Sequence, residues 1–204
     1  MESIPEKKRL ILESTMALIR ERGFHGTTMS LVADHAGVAA GTIYHYFKGK
    51  DELIRALYTY NSDRIRDVTT QAIASGDTRK QRFLNTWYRL YEFYIRNAAV
   101  LTFFEQYLNS PYHHLEQPSG QFRSPLFHLL EEGMAAGEIR TIKPELLLML
   151  VLGGVSAAAK LKLSGKVRIT SDDLRDVAEA LWTGIASDSK AKTVRARKPN
   201  VKST

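Results

Sequence analysis

Cysteine is absent from this chain of 204 residues. That excludes disulfides, thiolate metal sites and cysteine nucleophiles, and it fits a reducing, cytoplasmic setting. Proline is scarce, with six in all and none between Pro5 and Pro111, so that whole stretch lacks the residue that most reliably breaks a helix. The N-terminus, MESIPEKKRL, has no apolar core, and no secretory signal is expected there. The most apolar segment runs for 14 uncharged residues, 146 to 159. A membrane span needs about 20, so a buried or interface helix is expected and no membrane partner. What is present is ordinary for a soluble globular protein: 44% hydrophobic and 25% charged residues.

The net charge of +7 is unevenly placed. Residues 1–50 hold seven Lys/Arg against five Asp/Glu, a net of only +2. Beyond Asp188 come Lys190, Lys192, Arg195, Arg197, Lys198 and Lys202 with no acid, a net of +6. This tail, 188–204, has few apolar residues and no helical stripe, so disorder is expected. It reads either as a solvated terminus or as a non-specific phosphate-binding arm.

The densest signal lies between Thr28 and Lys50. Thr28 is a good N-cap, and Leu31, Val32 and Ala36 give the helix behind it an apolar face. Gly37 can take the positive φ of a tight turn. Ala40 to His45 then forms a helix too short to persist without tertiary support. Two short helices across a tight turn are the layout of a helix-turn-helix module, whose second helix reads DNA. Upstream, Ile11, Thr15, Leu18 and Ile19 mark an amphipathic helix ended by Gly23, with Phe24 and Phe47 as plugs for a small three-helix core.

The run ILESTMALIRERGFHGTTMSLVADHAGVAAGTIYHYFKGKDEL resembles the N-terminal domain of TetR-family transcriptional regulators. Gly23-Phe24, Thr28, Ala36-Gly37-Val38, Gly41 with Ile43-Tyr44, and Tyr46-Phe47 before Lys50 fall in the family's order and spacing. The resemblance implies DNA contacts from Thr28, Ala39, Ala40, Gly41, Thr42, Tyr44, His45, Tyr46 and Lys50. Thr28 and Lys50 would meet phosphate at the edges, and Thr42 would touch a base. Ala39 and Ala40 depart from the family pattern, in which polar side chains are frequent. Thymine-methyl contact and DNA shape are therefore expected to carry more of the specificity.

After residue 50 the pattern stays helical. Leu53, Ile54, Leu57, Tyr58, Ile65 and Val68 predict a long helix from Asp51 to about Ser75. Stripes around Phe83–Tyr94 and Phe103–Leu108 follow, then a helix opened by Ser124-Pro125 and stopped at Gly137. Pro144 begins the apolar helix, Lys166 to Thr170 is a connector, and Ser171 to Ile185 is a clean final stripe. The expected fold is all-α, with a helix-turn-helix domain over 1–50 and a helical ligand-binding and dimerisation domain over 51–187.

Aromatic residues crowd residues 87–112. Stripes of this kind are usually core, yet the tyrosine hydroxyls need partners when buried. Trp87, Tyr91, Tyr94, Phe103, Phe104 and Tyr107 are accordingly candidates to line a cavity for a small organic ligand. His113-His114, with Glu105 and Glu116 near, lack metal-ligand spacing. No nucleophile, base and orienter group together, so no metal, cofactor or catalysis is expected.

The family resemblance implies that the last two helices form a four-helix interface in a homodimer. It also implies a cytoplasmic repressor that binds a palindromic site in double-stranded DNA and is released by ligand. The alternatives are a constitutive regulator without a ligand, or a helical small-molecule-binding protein.

Overall fold

A computed structural model describes residues 4–112 and 124–187. The tail from 188 onward, His113-His114, Glu116 and Pro118 lie outside the described residues. Nine helices form among those described, joined by short connectors. They are α1 (Glu6–Gly26), α2 (Met29–His35), α3 (Ala40–Tyr46), α4 (Lys50–Ala74), α5 (Arg79–Arg96), α6 (Ala98–Leu108), α7 (Pro125–Ala135), α8 (Pro144–Leu163) and α9 (Ser171–Ile185).

The boundaries follow local chemistry. Thr28 caps α2 by accepting from the Leu31 amide at 3.2 Å, and Ser124 does the same for α7 through Phe127. Thr78 with Gln81 and Thr170 with Asp173 close reciprocal capping boxes ahead of α5 and α9. Gly23 takes φ 66° and ψ 178°, outside helical geometry, so the long part of α1 ends there as expected, and a separate short turn follows to Gly26. The stripe across residues 83–108 breaks at Asn97, whose side chain folds back to donate to the Phe93 carbonyl at 2.8 Å. Lys166–Thr170 forms no strand, and among the described residues the one β-type pairing is a bridge between Ile139 and Ala186.

Two cores share the chain. The first joins Ile11, Leu18, Ile19, Phe24, Val32, Ile43, Phe47, Leu53 and Leu57, and so packs α1, α2, α3 and the start of α4 together. The second fills the larger bundle, where α5 touches α4, α6, α7, α8 and α9 and buries Phe83, Trp87, Leu90, Tyr91 and Tyr94. α4 runs through both. α6 completes the bond between them, because Phe103 and Tyr107 sit in the first core while Val100 and Leu101 sit in the second.

α8 is long and apolar enough to cross a membrane by composition, with a mean hydropathy of 1.8 over its best window. Its Leu147, Leu148, Val151, Val155 and Ala159 are nevertheless buried in the bundle, along one face. It serves here as a packed helix of the second core.

The joint gives a direct check. Phe103 is fully buried against Phe24 and Tyr107, with ring centroids 6.0 and 5.7 Å away. Phe103→Ala should lower unfolding stability by about 3–5 kcal/mol in urea titration. A loss under about 1 kcal/mol would show that the ring is not what fills the joint.

Candidate nucleic-acid interface

α3 has seven residues, far fewer than an isolated helix needs in water. It persists because Ile43, wholly buried, points into the first core, and Phe47 follows it there. That anchoring fixes which residues face outward. Ala39, Ala40, Gly41, Tyr44 and His45 are exposed, while Thr42 and Tyr46 are half-buried. Tyr44 is 57% exposed, an unusual place for a large ring with no packing duty. The His45 and Tyr46 rings meet edge to face at 5.3 Å. At Gly41 an added Cβ would meet nothing within 4 Å, so its missing side chain answers no need of the fold.

Thr28 is exposed beside this surface, its hydroxyl already used by the α2 cap. Gly37 takes φ 65° at the turn between α2 and α3. Lys50, at the other edge, is half-buried, and its ammonium donates to the Phe24 carbonyl just beyond the α1 kink. Burial lowers its pKa, and Asp51 partly opposes that shift. One of its N–H bonds is therefore spent inside the fold. Lys48, which sequence reasoning passed over, is the exposed cation at this edge, and its backbone amide is held by Glu52 at 2.7 Å. Its signal in the sequence was no more than a lysine just outside the α3 exit.

The six aromatic candidates for a ligand cavity are not brought into one place. Trp87, Tyr91 and Tyr94 belong to the second core, whereas Phe103 and Tyr107 pack in the first and Phe104 bridges them. Phe103, Phe104 and Tyr107 go to the joint because Phe24 and Tyr58 offer rings there: Tyr58 lies 4.8 Å from Tyr107 and 5.5 Å from Phe104. The Tyr107 hydroxyl donates to the Tyr112 carbonyl at 2.8 Å. An open groove of about 440 Å³ lies beside this joint, lined in part by Phe24, His25, Glu105 and Gln106.

In the bundle, the Trp87 and Tyr91 rings are parallel, 6.0 Å apart. The Trp87 indole N–H is buried without an acceptor among the described residues, a deficit worth about 1–3 kcal/mol. Burial, with Glu105 adding to it, pushes the Tyr94 hydroxyl up to about 12, so it stays a neutral donor at any physiological pH. No group of three or more metal-ligating side chains occurs among the described residues.

Comparison with known proteins agrees with this architecture at both ends. The family model described as "Bacterial regulatory proteins, tetR family" matches residues 11–57, and one described as "Tetracyclin repressor-like, C-terminal domain" matches 79–186. The HTH-type transcriptional regulator YhgD of Bacillus subtilis is 26% identical over 151 residues, 72% of this chain and 79% of that protein. Among solved structures, a TetR family transcription regulator from Marinobacter aquaeolei VT8 superposes with a TM-score of 0.82 at 21% identity, covering 89% of this chain and 96% of that one. The FadR regulator of Bacillus subtilis, solved in complex with stearoyl-CoA, gives 0.71 at 22% identity, covering 87% and 98%.

Gly41 supplies the sharpest test of this surface. Gly41→Ala meets no clash in the protein and replaces a poor helix former, so stability should hold or rise by up to about 1 kcal/mol. Specific DNA retention should fall all the same. A variant that binds DNA as the parent does would remove α3 from the interface.

Proposed function

Because this chain belongs to the tetR family of bacterial regulatory proteins, whose members are transcriptional regulators and not enzymes, we propose that it is a cytoplasmic repressor working as a ligand-responsive dimer. Residues 1–50 are the DNA-reading heads, and residues 51–187 are the ligand-binding and dimerising bodies. Each head lays α3 in a major groove of a palindromic operator. Ala39, Ala40, Gly41, Thr42, Tyr44, His45 and Tyr46 face the groove. Thr28 and Lys50, with Lys48 beside it, serve the phosphates. The observation that carries this reading is the exposed, otherwise purposeless surface of α3 around Gly41 and Tyr44.

Two further features support the dimer. On α8, Leu146, Leu150 and Leu161 are 63%, 53% and 42% exposed, and with Gly153 and Ala157 they form a stripe opposite the buried face. An apolar stripe left open beside one already buried is the mark of an interface with a second copy. Close pairing of α8 with α9 is built in as well. A Cβ at Gly154 would stand 2.9 Å from the end of the Leu181 side chain, so a larger residue there would make that leucine shift.

For the ligand, Trp87, Tyr91 and Tyr94 are retained as bundle-interior candidates, and the unanswered indole N–H of Trp87 is the group a ligand acceptor would satisfy. Phe103, Phe104 and Tyr107 take the role of relay, since they join the bundle to the α1 end. The stearoyl-CoA held by the similarly folded FadR shows that this architecture accommodates an amphipathic acyl ligand in that protein. Ligand-driven release requires a coupling of only about 1–3 kcal/mol.

The experiment is electrophoretic retardation of DNA from upstream of the protein's own gene. Specific retention that weakens as salt rises is expected, with Lys48→Ala reducing the salt slope by about one unit. Leu150→Glu should yield monomers in sedimentation and lose specific retention while staying helical. Equal retention of random DNA by the parent protein would end the proposal.

A further inference from the structure

Arg64 lies on α4 where that helix passes α1 and the α5–α6 turn. Its guanidinium carbon stands 5.5 Å from the centre of the Tyr60 ring and 5.3 Å from that of Phe93. One terminal nitrogen donates to the Asn61 side-chain oxygen at 3.3 Å, and the other donates to that of Asn97. Both acceptors are neutral amides. Among the described residues no carboxylate pairs with Arg64, whereas Arg9, Arg66 and Arg89 have one each and Arg79 has two. The nearby acid, Glu13, is engaged by Arg9 at 3.1 Å and accepts from the Tyr60 hydroxyl at 3.4 Å.

A half-buried guanidinium without a counter-ion is a costly way to tie two helices together. The guanidinium has five N–H donors, and two of them suffice for Asn61 and Asn97. Paired oxygens of a carboxylate or phosphate are a stronger partner for this fork than the neutral Asn97 amide they would displace.

We propose that Arg64 is the receptor for the oxyanion of a small organic acid or phosphate ester, whose apolar part lies along Phe93 and Tyr60. The incoming oxygens compete with Asn97, the acceptor that ties α4 to the α5–α6 turn. Occupancy therefore loosens α4, the helix that carries the reading head, from the bundle. This consequence rests on the ligand-responsive reading above, whereas the binding itself does not.

The test uses the full chain in thermal-shift titrations without DNA, at matched ionic strength. The probes are inorganic phosphate and hexanoate, with hexanol as the uncharged control. Hexanoate or phosphate should raise the midpoint well beyond hexanol, and whichever gives the larger shift identifies the preferred oxyanion. Arg64→Gln should weaken that response at least about tenfold, the factor expected from losing a charge-assisted pair. Asn97→Asp should set an internal carboxylate against the guanidinium and abolish the added shift, at the cost of the amide's bond to the Phe93 carbonyl. Unchanged oxyanion responses in both variants, or no response beyond hexanol in the parent protein, would overturn the proposal. DNA retardation is measured separately, so its failure bears on the regulator reading alone.

Discussion

A seven-residue helix cannot hold itself together in water, and the structure around α3 exists to hold it. Ile43 and Phe47 are its two anchors, one inside the helix and one at its exit, and both are sealed in the first core. Everything on the opposite side is thereby forced outward in a fixed register, from Ala39 through His45. Gly37 turns the chain so that α2 and α3 meet at the right angle, and Thr28 closes the open end of α2. The exposed face is rigid because of what lies behind it. A surface that must fit a groove needs that kind of support.

The same core reaches past the head. Phe24, just after the α1 kink, is packed among Phe103, Tyr107 and Tyr112, and its carbonyl is held by Lys50 at the start of α4. The end of α1 is thus fastened to both α4 and α6. A shift in the bundle can reach the head along either helix, and the aromatic contacts of α6 tie to α1 without passing through α4. Packed aromatic joints switch between discrete arrangements more readily than they bend. In the function proposed above, such a joint carries a binding event in the bundle to the spacing between two heads.

Much of this was legible in the sequence because it is written in local chemistry. Caps, the positive-φ glycine at 37, the helical stripes and the ordered motif between Gly23 and Lys50 all depend on neighbours a few residues away. The all-α fold followed from them. What was hidden depends on distant partners. Nothing near Phe103 or Tyr107 reveals that Phe24 and Tyr58, tens of residues away, draw them into the joint rather than into a cavity with Trp87. The break at Asn97 lacks a glycine or proline and shows only in the side chain's bond to Phe93. Lys50 keeps its expected place at the edge of the module, and what stays hidden is its bond to a carbonyl 26 residues earlier.

The central claim is that two copies of the chain present two α3 helices to neighbouring major grooves. Methylation interference at guanine N7, an atom that lies in the major groove, tests it most directly on the bound upstream fragment. The account predicts two interfering clusters related by a dyad and centred about one helical turn apart, or a multiple of it. A single cluster, or interference confined to minor-groove positions, would contradict it.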